Sequence, residues 1–152
     1  MSDIALNWNG PAWHGDIVLR NGALAIDNGL RTAILISLFS DARAPEGAAL
    51  PEESDDRRGW WGDDFPADPS RRVETGSLLW LLRRSKITQA TLARARESAI
   101  AALQWLRDEG IASRLSVSVE AQEGQRLAIG IELDRPDGPT RERYDYVWEA
   151  ST

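Results

Sequence analysis

Along the chain the spacing of apolar residues changes twice, and each change predicts a different element. Leu92, Arg96, Ala99, Leu103 and Leu106 repeat at the three-to-four-residue spacing of one helical face, and Ile100 widens the stripe. Thr88 stands where an N-cap belongs, Ile87 and Leu92 are placed as a hydrophobic staple, and Gly110 ends the run as a C′ residue. These signals predict a long helix over Thr88–Arg107. After it the period drops to two. Leu115, Val117 and Val119 alternate with Ser116, Ser118 and Glu120, and Leu127, Ile129, Ile131 and Leu133 alternate with Ala128, Gly130 and Glu132. Tyr144, Tyr146 and Trp148 alternate with Arg143, Asp145 and Val147. Turns within Ala121–Gln125 and Asp134–Thr140 join these runs into an antiparallel meander with one apolar face, which the helix is able to cover.

The first half is less regular. Residues 1–15 mix Asn, Gly, Pro and Trp without period and predict an irregular arm. Asp16–Arg20 and Ala23–Asp27 flank Asn21-Gly22, the strongest short-range hairpin signal. Leu30–Phe39 reads as a short, mostly buried helix, with a strand as the rival because periodicity does not separate the two in short apolar runs. Gly76–Arg84 carries Leu78, Leu79, Trp80, Leu81 and Leu82 in succession and predicts a second short helix, buried nearly all round. Arg83 and Arg84 lie at its C-terminal end, where the helix dipole favours cations. Between the short helices, Asp41–Glu74 holds four prolines, many acids and few aliphatics. So long a stretch without periodicity is a functional or disordered loop. Its centre packs Trp60, Trp61 and Phe65 among opposed charges, a composition suited to being held against this domain or a neighbour. The expected architecture is α+β, with one domain spanning 1–152: an antiparallel β-meander packed by a long helix and two short helices, preceded by an N-terminal β-hairpin.

Charge and composition then narrow the functions. A net charge of −6 argues against a general nucleic-acid or anionic-membrane binder, which carries a basic footprint. With no cysteine, disulfides, thiolate metal sites and a Cys nucleophile are excluded. No run reaches the roughly 18 apolar residues of a membrane span, and the start MSDIALNWNG lacks the basic and apolar regions of a signal peptide, so synthesis in the cytosol is expected. Seven tryptophans are many for this length. Most large aromatics fill cores, but Trp8, Trp13, Trp60 and Trp61 lie in polar segments, where Trp also serves as a partner anchor.

Catalytic chemistry finds little support. His14 is the only histidine, which rules out a multi-His metal site, and no nucleophile elbow, phosphate loop or dinucleotide fingerprint is present. Asp55, Asp56, Asp63, Asp64, Asp68 and Glu74 crowd the long loop, and two of them at roughly 5–9 Å would suffice for a glycosidase. Beside Arg57, Arg58, Arg71 and Arg72, ion pairing or solvation is the simpler reading. Asp63, Asp64 and Asp68 offer oxygen ligands for a divalent cation, without the Gly-punctuated pattern of a Ca²⁺ loop. The pairs Arg57-Arg58, Arg71-Arg72 and Arg83-Arg84 are able to grip acidic partners in bidentate fashion, although solvated positions are the more ordinary fate.

Four features taken together carry a resemblance. They are an N-terminal strand pair leading into a helix over Thr32–Phe39, the motif DRRGWWGDD at Asp56–Asp64, the run GSLLWLLRR at Gly76–Arg84, and the long helix that enters the meander. The chain resembles, over nearly its whole length, the Mu-like phage baseplate family named after that phage's forty-sixth gene. That family is similar in turn to the T-even gene-twenty-five baseplate wedge proteins, which seat the first ring of the contractile sheath. The resemblance implies a structural role with no catalytic residues, no cofactor and no metal. It implies a place in the virion tail baseplate after assembly in the host cytoplasm, with a wedge protein and sheath or tube-associated proteins as partners, and neither nucleic acid nor membrane. The wider group has a Glu-Pro-Arg-type motif after the first helix, where this chain reads Arg57-Arg58-Gly59-Trp60-Trp61. Arg57, Arg58, Trp60, Trp61, Asp63, Asp64 and Phe65 are expected to meet a wedge partner. The strand bearing Tyr144, Tyr146 and Trp148 offers an edge for strand addition by a sheath subunit. The alternatives are a lysozyme-like cell-wall enzyme using the loop carboxylates, and a regulatory adaptor.

Overall fold

The computed structural model describes residues 3–10, 12, 14–27, 29–70, 74–138 and 141–150. Its C-terminal part follows the switch of period. Strands β7 (Arg114–Gln122), β8 (Arg126–Asp134) and β9 (Glu142–Glu149) form one antiparallel sheet in the order β7-β8-β9, with Val117 opposite Ile131 and Ile129 opposite Tyr146. Alternation sends Leu127, Ile129, Ile131, Leu133, Tyr146 and Trp148 to the buried face. On the outer face Arg143 reaches Glu132 across the sheet at 3.2 Å and Asp145 on its own strand at 3.0 Å.

The helix covers the inner face, as the pattern predicts, but with its stripe displaced. Helix α2 (Gln89–Leu103) buries Thr91, Ala95, Ala99 and Leu103, and α3 (Trp105–Asp108) continues with Leu106 after a break at Gln104. The small residues Ala95 and Ala99 let the backbone approach the sheet, so the centre of the stripe falls one position before Leu92 and Arg96. Arg96 is exposed and donates from Nε to the Val117 carbonyl at 2.8 Å. The caps stand where the residues place them. The Thr88 hydroxyl accepts the Thr91 N–H at 3.2 Å, and Gly110 takes a φ of +70° beyond the last turn.

Leu30–Phe39 is helical: α1 (Arg31–Phe39) buries Thr32, Ile34, Leu35, Ser37 and Leu38. Asp27 serves its N-terminus from five residues upstream, accepting the Thr32 N–H at 2.8 Å and the Gly29 N–H at 2.9 Å. Burial pushes the Asp27 carboxyl up, but these hydrogen bonds and the Thr32 hydroxyl hold it below the ordinary carboxylate value. The leucine-rich run forms a 3-10 turn, Leu79–Leu82, rather than an α-helix, with Leu79, Trp80 and Leu82 buried. Four successive large apolar residues have no polar face to give water, so the segment winds tightly into the core.

The irregular arm expected over 1–15 is overturned by paired strands. Strands β2 (Leu6–Asn9) and β3 (His14–Ile17) form a ladder, and β1 (Asp3–Ile4) pairs with β6 (Ile26–Asp27). The Asn21-Gly22 hairpin appears as β4 (Leu19–Arg20) and β5 (Ala23–Leu24), with both turn residues at positive φ. The three ladders meet in a cyclic hydrogen-bonded triangle: Ala5 N–H to the Ala25 carbonyl, Ala25 N–H to Val18, and Val18 N–H to Ala5, at 2.8–3.0 Å. Each of three short strands thus divides its length between two partners, an arrangement of non-local pairs that no local period reports. Trp13, Arg71, Arg72 and the turn residue Pro139 lie outside the described residues. Among those described, no helix is long and apolar enough to cross a membrane.

Candidate partner-binding surface

Both ends of the long loop are fastened to the core. Ser77 forms an isolated parallel bridge with Asp41, donates its N–H to the Ser40 carbonyl at 2.9 Å, and donates its hydroxyl to the Leu38 carbonyl at 2.5 Å. Gly76 permits this close approach. It holds a φ of +101°, and a Cβ there would collide with the Ser40 carbonyl. Trp80 stands beneath, 3% exposed, and donates its indole N–H to the Ala42 carbonyl at 2.8 Å.

The two central arginines point inward. Arg57 donates from Nε and Nη2 to the Ala44 carbonyl at 2.9 and 2.5 Å, while Ala44 donates its N–H back to the Arg57 carbonyl. This closes the segment between them like a clasp. Arg58 pairs with Asp41 at 2.5 Å and lies over the Trp80 ring at 4.5 Å from its centroid. Arg57 and Arg58, expected to meet a partner, are thus half-buried and engaged within the loop itself. Their charges are spent on the chain's own carbonyls, carboxylates and indole, where they shape the loop. Asp63 is likewise engaged, accepting the Thr75 N–H at 2.9 Å and its hydroxyl at 2.8 Å.

The aromatics take the opposite position. Trp60, Trp61 and Phe65 are 53%, 73% and 78% exposed. They flank a 3-10 turn, Trp61–Asp64, with Trp60 and Trp61 ring centroids 5.7 Å apart and those of Trp61 and Phe65 6.5 Å apart. The Trp60 ring folds back over Gly62, where any side chain would strike it. Asp64 is exposed beside them. Between α1 and the loop lies an open cavity of about 820 Å³, with Ile36, Asp41, Asp56, Arg58 and Trp60 among its lining residues.

The C-terminal aromatics do not join this surface. Tyr146 and Trp148 are buried in the core and Tyr144 is half-buried, because β9 turns them toward the inner face. The structure places these expected contact residues on the inner face, and what β9 presents at the sheet edge is backbone. Part of that edge is covered, since Trp8 donates its indole N–H to the Val147 carbonyl at 3.2 Å and stacks on Phe39 at 4.1 Å. Trp8 is thus a clasp within the molecule. A second exposed apolar group escaped the sequence reading. Ile4, Ile17, Leu19, Leu24 and Ile26, each 44–66% exposed, surround the hydrogen-bonded triangle. The one available signal was the run of successive apolar residues at Ile17–Leu19 and Ala23–Ile26, too rich for a hairpin with one solvated face.

The two tyrosines report on the meander. Burial, followed by the Glu142 carboxylate 2.6 Å from its hydroxyl, pushes Tyr144 up to about 12. Burial pushes Tyr146 up as well. A raised tyrosine value means that the fold favours the protonated form. Stability is therefore complete below the unfolded value of about 10 and declines as pH climbs from there through the folded value. The tyrosinate absorbance of the native protein should stay flat through pH of about 10 and rise only with unfolding. A tyrosinate titration centred near 10 in folded protein would contradict the buried placement.

No three His, Cys, Asp or Glu side chains among the described residues come together as a metal site. The surface is one of exposed aromatics on a clasped loop, and comparison with known proteins gives it a context. The profile of the family described as "Phage protein GP46" matches residues 30–140, which takes in the whole loop, the leucine-rich turn and most of the meander. The chain belongs to this phage protein family. It is 44% identical over 139 residues to the "Baseplate protein gp46" of Escherichia phage Mu, covering 91% of this chain and 90% of that protein. It is 39% identical over 143 residues to the "Mu-like prophage FluMu protein gp46" of Haemophilus influenzae, covering 94% of each. The resemblance read from the four motifs is borne out, and with it the mixed α+β architecture. The residues that match the family profile leave the N-terminal ladders outside it.

Proposed function

We propose that this chain is a structural part of a contractile-tail baseplate, docked to a wedge protein through the loop 41–74 and seating the first sheath ring. End-to-end similarity to a phage baseplate protein supports the setting. The exposure of Trp60, Trp61 and Phe65 on a loop clasped at its base is the observation that carries the docking surface. Aromatic side chains held out from a fastened loop lose little conformational freedom on binding, which favours them as anchors. The family setting and the engagement of both Asp63 oxygens by Thr75 favour a structural part over a cell-wall enzyme. For the sheath, the stretch of β9 at Glu142–Asp145 lies away from the Trp8 clasp on Val147 and is the stretch an added strand would extend.

Co-expression with the wedge protein encoded beside it tests the reading. A stable complex that survives size-exclusion chromatography is expected. A chain that elutes alone, indifferent to every neighbouring tail protein, would overturn it.

A further inference from the structure

Charge distinguishes the aromatic loop from the rest of the molecule. Residues 41–74 contain ten acids and five arginines, so this stretch carries −5 of the net −6 of the whole chain. The central cations are half-buried and already engaged, Arg57 with the Ala44 carbonyl and Arg58 with Asp41 and Trp80. Glu53, Asp55, Asp56, Asp64 and Glu74 are exposed. Among the described residues, the exposed side chains of the loop are thus mainly aromatic and acidic, with Arg43 also exposed. Beside it the cavity of about 820 Å³ is lined by Ile36 and Trp60, 40% and 53% exposed, together with Asp56 and the Arg58–Asp41 ion pair.

From this pairing we infer that the surface receives a cationic segment of a neighbouring protein, with Arg or Lys side chains set among aliphatic ones. The inference rests on the docking reading above and names the chemistry of the docked element. A long cationic side chain lays its stem on Ile36 and the Trp60 face while its head group meets Asp56. A guanidinium over Trp61 gains a cation–π contact, the geometry the chain already uses where Arg58 covers Trp80 at 4.5 Å. An acidic partner would meet like charge, and a purely apolar one would leave the carboxylates desolvated without a counter-charge. The acid excess also speeds encounter with a basic partner, an effect that salt removes.

A synthetic peptide alternating Leu with Arg, compared with the same peptide carrying neutral citrulline for Arg, tests the chemistry on the full chain by calorimetry. The Arg peptide is expected to bind roughly tenfold or more tighter than the citrulline peptide, with most of the difference lost between about 0.05 M and 0.5 M salt. Glu53→Gln/Asp55→Asn/Asp56→Asn is expected to remove that preference, as is Trp60→Ala/Trp61→Ala. Glu120→Gln/Glu123→Gln, on exposed positions of the meander, should retain it. Equal affinity for the two peptides overturns the inference, and so does a preference lost equally in the meander variant, which would mark general attraction to an acidic protein. The two readings fail separately. A wedge complex that forms regardless of salt and of the triple acid substitution sinks the cationic inference alone. Peptide discrimination in a chain that binds no tail protein sinks the baseplate reading and leaves this one standing.

Discussion

Replacing Trp60 and Trp61 together by Ala should abolish measurable capture of the wedge protein while leaving the fold intact. The two effects separate because of where the rings lie. Neither ring belongs to the buried core, and both remain more than half exposed. Their removal therefore falls among surface substitutions of about 0.5 kcal/mol or less, which moves the melting midpoint by roughly 2 °C at most for a chain of this size. Buried in an interface, by contrast, each Trp at a hot spot is worth about 2 kcal/mol or more, so losing both weakens binding on the order of a hundredfold to a thousandfold. Phe65→Ala should have the same sign with a smaller effect. Thermal melts and affinity measurements on the same preparations decide the matter. Unchanged affinity in the double variant would end the anchoring idea, and a collapsed melting midpoint would mean that the rings support the fold instead.

Trp80→Ala should do the reverse, costing about 3–5 kcal/mol of stability as large-to-small core substitutions do, or roughly 6–20 °C in melting midpoint. Trp80 is 3% exposed, its indole N–H holds the Ala42 carbonyl, and its face carries the Arg58 guanidinium. Its loss leaves a cavity and an unpaired carbonyl, and frees the cation that closes the loop over the core. Limited proteolysis should then cut within residues 45–70 at protein concentrations and temperatures where the wild type resists. Trp80→Phe, which preserves most of the volume but not the hydrogen bond, is expected to fall between the two. If Trp80→Ala melted like the wild type, the leucine-rich turn would not be the foundation of the loop.

These two tryptophan sites show why residue type alone does not assign a role. Trp60 and Trp80 are the same residue type, yet one is presented to solvent and the other sealed beneath a guanidinium. Arg57 and Arg58 make the same point from the polar side. Adjacent arginines in an acidic loop read as solvated or as a partner grip, and their inward course depends on carbonyls and an indole that arrive from Ala44 and Trp80.

Local pattern was enough for the elements whose period is set by one dominant packing surface. The meander, the Thr88 cap and the Asn21-Gly22 turn follow from side-chain spacing and turn chemistry, because each depends on residues within a few positions of one another, whereas spacing left Leu30–Phe39 open between helix and strand. The four motifs were also enough to place the chain in its family. Tertiary structure decided what depends on distant partners. The N-terminal ladders close through a triangle of hydrogen bonds among Ala5, Val18 and Ala25. The first half of the helix stripe shifts from Leu92 and Arg96 to Thr91 and Ala95 because the sheet demands a close approach, and the leucine-rich run tightens to a 3-10 turn because core surrounds it. Exposure of the loop aromatics and inward turning of the loop arginines were settled together, by which groups the folded core left without a partner.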